Sequence, residues 1–162
     1  MRMSDLPSVS VETTIDADPS AIYAVVDDLD VMAGFGTEFQ RGEWVSGRPG
    51  ELGSVFVGHQ KSGDREWRST STITEREPDR VFGWAVGDPE EPVAQWTFTL
   101  RRVPDGTDVR YDAVLGSGES GLTAAIAARP DSEEAIIDKR LAHLQDNMVK
   151  TLEGIRRRVE RR

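Results

Sequence analysis

Few side chains in this sequence have the reactivity of a catalyst. There are two histidines and no cysteine. His59 closes the run Val55, Phe56, Val57, Gly58, His59 and is the histidine of the strand-like region. Facing inward, it would be the natural proton-transfer group near neutral pH, which cyclisation or dehydration chemistry needs. Facing outward, it would be an ordinary surface histidine. Tyr111 is the second candidate, a hydroxyl that shares strand parity with Val109 and Ala113. His143 lies beside an apolar helical stripe rather than on it, and two histidines so far apart do not make a metal site. No metal and no cofactor is expected. The stretch Gly116 to Gly121, GSGESG, fits the GxGxxG spacing. A dinucleotide site also needs a following parallel strand with an acidic residue at its end, and here only Pro130 and a terminal helix follow.

Binding chemistry is better represented. Parity places Trp96, Phe98 and Leu100 on one face of a strand, and Phe82, Trp84 and Val86 on one face of the strand before it. Trp67, Ser69, Ser71 and Ile73 share a face in the same way. Two hydroxyls among apolar neighbours are unusual in a dry core and reasonable in a wet pocket. The aromatics have two readings, plain core packing or the lining of a cavity. Four tryptophans, each with an N–H that needs a partner when buried, favour the cavity.

These faces need elements to hold them. Ile137, Leu141, Leu144, Met148, Leu152, Ile155 and Val159 recur at three- and four-residue spacing, which predicts a helix over Glu133 to Glu160. At 1.5 Å per residue it is roughly 42 Å long and spans a small domain. Val9 to Ile15 alternates as a first strand. Asp18-Pro19 then reads as a helix start, and the face Ile22, Tyr23, Val26, Leu29 as a short helix. A brief helical or loop segment, Asp30 to Thr37, contains Phe35. Six strand-like runs follow: Phe39 to Ser46, Ser54 to Lys61, Arg65 to Glu75, Arg80 to Val86, Val93 to Val103 and Thr107 to Leu115. Their short links, Pro104-Asp105-Gly106 among them, argue for an antiparallel meander. Residues 116–131 read as a flap at one end of the cavity, with a turn or two of helix before Pro130.

The length of 162 residues suits a single domain, with its core about residues 8–160. The net charge of -9 disfavours a nucleic-acid partner. No run approaches the roughly 18 apolar residues of a membrane span, so no stable membrane insertion is expected. The opening residues lack a charged-then-apolar leader pattern, which leaves a cytoplasmic protein as the expectation. Arg156, Arg157, Arg158, Arg161 and Arg162 read as a solvated helix end that complements the macrodipole.

The element order is that of a helix-grip fold, and the local sequences agree with it. Val11 to Val26, VETTIDADPSAIYAVV, resembles the start of the START/Bet v 1-like (SRPBCC) superfamily. Ile73 to Trp84, ITEREPDRVFGW, is similar to the central hairpin of its polyketide cyclase/dehydrase branch. Trp96 to Leu100 with Pro104 to Tyr111 looks like the next hairpin. The resemblance implies an α+β fold. A curved antiparallel sheet of about seven strands wraps a long C-terminal helix, and two short helices follow the first strand. It also implies an apolar cavity between sheet and helix, with no fixed catalytic set.

The expected ligand is a lipid, an isoprenoid or an aromatic polyketide-like molecule. It would lie against Phe35, Trp67, Ser69, Ser71, Phe82, Trp84, Trp96, Phe98, Tyr111, Leu141, Leu144 and Met148. The alternative is a cyclase or dehydratase acting on such a molecule, with His59, Tyr111 or a pocket serine or threonine moving the protons. A third possibility is an interaction protein that uses a sheet edge or the charged helix. A monomer or a homodimer is expected.

Overall fold

The computed structural model describes residues 1–160. Arg161 and Arg162, part of the expected basic helix end, lie outside the described residues. The chain runs β1 (Ser8–Ile15), α1 (Pro19–Val26), α2 (Leu29–Met32), β2 (Phe39–Ser46), β3 (Val55–Ser62), β4 (Arg65–Glu77), β5 (Val81–Asp88), β6 (Glu91–Val103), β7 (Gly106–Leu115), α3 (Gly121–Ala128) and α4 (Glu133–Val159). Short 3-10 turns precede β1, at Met3–Asp5, and α4, at Pro130–Ser132.

All seven strands form one antiparallel sheet in the order β1-β7-β6-β5-β4-β3-β2. Sequential strands β2 to β7 pair as neighbours, and β1 closes on β7 at the far side. The β6–β7 link is a two-residue loop, with Val103 opposite Gly106. Gly106 has φ 133, and a Cβ there would run into the Ile15 backbone oxygen, so glycine is required.

Pro19 opens α1 as expected, but the Asp18 carboxylate does not cap it. That carboxylate pairs instead with Arg102, 3.1 Å away on β6. Asp28 does cap α2, accepting from the backbone N–H groups of Asp30 and Val31. The expected flap contains α3, opened by a reciprocal pair of bonds between Ser120 and Thr123.

Ile137, Leu144, Met148, Leu152 and Ile155 are buried on α4, while Leu141 and Val159 are partly buried. Each fully buried side chain of this size contributes about 1.5–3 kcal/mol, so the stripe holds α4 to the body. Its main sheet partner is β1. Its buried stripe joins one core cluster with Ile73, Phe98 and Tyr111 of the sheet, and α1 and α3 also pack against it.

Candidate functional site

Cross-strand register fixes which residues share the concave face. One row runs Trp44, Phe56, Ser71, Val86, Ala94 and Leu115, and the next runs Ile73, Trp84, Trp96, Ala113 and Val9. A third holds Phe82, Phe98, Tyr111 and Val11. The expected inward setting of Trp67, Ser69 and Ser71 is what the register produces, since Gln60 faces Trp67, Gly58 faces Ser69 and Phe56 faces Ser71.

The rings form one continuous cluster. Phe98 and Tyr111 stack with centroids 3.9 Å apart and planes 8° from parallel. Trp96 lies 5.4 Å from Tyr111, and Trp84 lies 6.3 Å from Trp96 at 12°. Phe56 meets Trp44 and Trp84 edge-on. Phe82, Phe98 and Tyr111 are buried, but Trp84 and Trp96, at the centre of the face, are only half-buried. Leu144 and Met148 are sealed in the core beside them, and Leu141 is partly exposed.

A strap between α2 and β2 covers the other flank of α4. Phe35 packs on Gly154, where a Cβ would lie 2.6 Å from the ring carbon Cγ. Gly36 lies so close to Asn147 and Thr151 that a side chain there would overlap both. Asn147 Oδ1 accepts from Thr37 N–H at 2.6 Å, Thr37 Oγ1 at 3.1 Å and Glu38 N–H at 3.3 Å. Arg140 then donates twice to the Glu38 carboxylate, at 2.6 and 3.0 Å. This pair is largely out of water, with 27% and 10% of the two side chains exposed. Asn147, Thr151 and Glu38 were not singled out from sequence. The available signal was Asn147, Thr151 and Gly154 at four- and three-residue spacing, a small and polar stripe next to the apolar one.

His59 is not part of this interior. It sits opposite Arg41 and Arg68, on the convex face, because the alternate positions Gly58 and Gln60 point inward. Its Nε2 is buried 3.6 Å from Glu43 Oε1 and makes no hydrogen bond among the described residues. The inward setting that catalysis by His59 required is thus corrected by strand parity. Tyr111 is inside. Burial, and then the nearby Glu38 charge, push its hydroxyl above the ordinary tyrosine range. Near neutrality it keeps its proton, so it can donate a hydrogen bond and cannot act as a base.

Among the described residues no group of three His, Asp or Glu side chains is placed to hold a metal. Among the described residues no helix is long and apolar enough to cross a membrane. Two concavities lie outside the aromatic face. One of about 170 Å³ is lined by Val11, Thr13, Leu152 and Arg156, between β1 and α4. The other, about 630 Å³, lies between the start of α1, the β4–β5 turn and β6.

The same architecture recurs in solved structures. The polyketide-cyclase-like protein Cgl2372 from Corynebacterium glutamicum is 22% identical, with a TM-score of 0.67 over 93% of this chain and 89% of that one. TTHA0849 from Thermus thermophilus is 16% identical, with a TM-score of 0.69 over 94% and 96%. The ginseng major latex-like protein 151 from Panax ginseng is 11% identical, with a TM-score of 0.67 over 96% and 98%. At such identities the likeness establishes the fold alone. No curated protein matches. At the level of sequence, the profile described as polyketide cyclase/dehydrase and lipid transport matches residues 7–149, from the turn into β1 to the middle of α4. The match takes in the aromatic strands and the strap alike, and the chain belongs to that family.

Proposed function

We propose that this protein binds one small hydrophobic or amphipathic molecule, a lipid, an isoprenoid or an aromatic polyketide-like compound, between the concave sheet and α4. The observation that carries the reading is the half-burial of Trp84 and Trp96. They lie at the middle of the concave face, their rings nearly parallel. Two large apolar rings that are not fully buried on an inward face leave area that an apolar ligand would remove from water, at about 25 cal/mol per Å². The family, which includes lipid transport, and the closed ring cluster around these tryptophans support it.

The test is native mass spectrometry of the purified chain, followed by titration with candidate apolar ligands read through tryptophan emission. Retained mass or saturable quenching that weakens in Trp84→Phe and Trp96→Phe is the expected result. Absence of both in the wild-type protein would sink the proposal.

A second reading, cyclase or dehydratase chemistry on such a ligand, is favoured by one arrangement. Tyr111 is buried on the concave face and feels the charge of Glu38, which Arg140 holds, so a proton donor and a carboxylate lie in one neighbourhood. In that reading Tyr111 donates a proton to the substrate and Glu38 takes one. Loss of turnover with unchanged ligand affinity in Tyr111→Phe would favour it, and unchanged turnover would remove it.

A further inference from the structure

The concave face is polar at one end. The inward set along β4 runs Arg65, Trp67, Ser69, Ser71, Ile73, passing from a cation at the β3–β4 hairpin to hydroxyls and then to fully apolar packing beside Trp84. Gln60 on β3 extends the polar end, its Nε2 donating to Ser69 Oγ at 3.3 Å. At the mouth, the Arg65 guanidinium carbon lies 5.5 Å from the centre of the Trp67 ring. Gly121, the first residue of α3, presses against the same guanidinium so closely that a Cβ would overlap it.

Arg65 is thus held on two sides, by an aromatic face and by α3. Among the described residues no carboxylate lies within ion-pair distance of it. α3 meets the guanidinium at Nη2, and the donors that it and the indole leave uncovered can pair with a carboxylate. The net charge of the chain is -9, so an unpaired cation oriented at the polar end of an aromatic face stands out against its surroundings.

We infer that Arg65 is the counter-ion for the acidic head of a long-chain amphiphile, whose apolar body lies along β4 toward the tryptophans. This rests on the binding reading above and adds the head group, the orientation and the length. The six residue steps from Arg65 to Ser71, whose row holds Trp44, Phe56 and Val86, span roughly 20 Å along the strand. A compact molecule anchored at Arg65 does not reach that row, and an extended chain does. Gln60 and Ser69 offer hydrogen bonds to the head, and α3 lies over it.

The experiment compares cis-parinaric acid, an 18-carbon fluorescent polyene acid, with its methyl ester on the full chain. Arg65→Gln is the test variant. Arg68→Gln, on the convex face, is the control. The wild type and the control are expected to bind the acid about threefold tighter than the ester, the size that an exposed charge pair supports. Added salt should erode that preference. In Arg65→Gln the ester should bind as before and the preference should vanish. Equal binding of acid and ester by the wild type, or a preference that survives in Arg65→Gln, overturns the head-group assignment and leaves the pocket standing. If neither probe binds the wild type, the pocket reading fails and takes this assignment with it.

Discussion

Burial pushes both tyrosine hydroxyls of the chain upward, and each is tied to a different part of the interior. Tyr23, whose hydroxyl donates to the Val81 carbonyl at 3.1 Å, is raised from 10 to about 12. Tyr111 is raised further, by burial and by the Glu38 charge. A phenol whose folded value exceeds its unfolded value keeps its proton in the fold where the open chain has lost it. Stability from these groups is fully present below about pH 10 and is lost as pH rises toward the folded values. Between pH 10 and 11 the folded protein should therefore show almost no tyrosinate absorbance, and denaturant should release it at once. Ordinary titration near pH 10 in the folded chain would contradict the burial of both rings. His59 belongs to the opposite face, so His59→Gln should leave ligand affinity within about twofold of wild type, because it removes nothing from the concave side. A large loss of binding in that variant would mean that the β3 register is shifted by one residue.

At the scale of elements, the strap adds a polar tie to the apolar stripe that holds α4 to the body. Glu38 and Arg140 are far apart in sequence and largely desolvated together. Removing one of them leaves the other with its charge buried, so Arg140→Ala should destabilise the fold by about 3 kcal/mol in urea unfolding. Replacing both by leucines should restore much of that loss, since an apolar pair strands no charge. Gly36→Ala tests the backbone side of the same contact. Its Cβ would push Asn147 away and loosen the three bonds to Asn147 Oδ1, an expected cost of about 2 kcal/mol. These contacts show why part of the molecule was legible in sequence and part was not. The α4 stripe and the alternation of Trp96, Phe98 and Leu100 are local, repeated patterns, and both emerge in the structure as read. The facing of β2 and β3 was not legible. FQRGEWVS has no clean alternation, and irregularities between Phe39 and Arg41 and between Trp44 and Ser46 reset its parity. That uncertainty extended to β3 and left His59 open. The strap's pairing was not legible for another reason, although its stripe on α4 left a local signal. It joins Gly36 to Asn147 and Phe35 to Gly154, and no local period encodes a contact over such a separation.

The whole molecule is a sheet with two free edges that one helix draws together. α4 runs along β1 on one flank, where Arg156 donates to Thr13 and Glu160 accepts from the Asp16 backbone N–H. On its other flank it holds the strap that leads into β2, the opposite edge of the sheet. Two sides of the concave face are therefore bounded by contacts of α4, while Trp84 and Trp96 at its centre are not fully buried. A ligand seated there would touch both the strands and the helix, and it would bind the folded chain without a counterpart in the unfolded one. Mass action then requires a rise in stability of about 2.7 kcal/mol at a ligand concentration one hundred times its Kd. For a chain of this size that corresponds to roughly 5–10 °C in Tm. Thermal unfolding with and without a long-chain carboxylate should show that rise. Arg140→Ala should show it from a lower starting Tm, because the strap is weakened while the aromatic floor is intact. If a saturating ligand leaves Tm unchanged while tryptophan emission responds, it binds the unfolded chain as well as the folded one, and the emission change does not report a site that the fold builds.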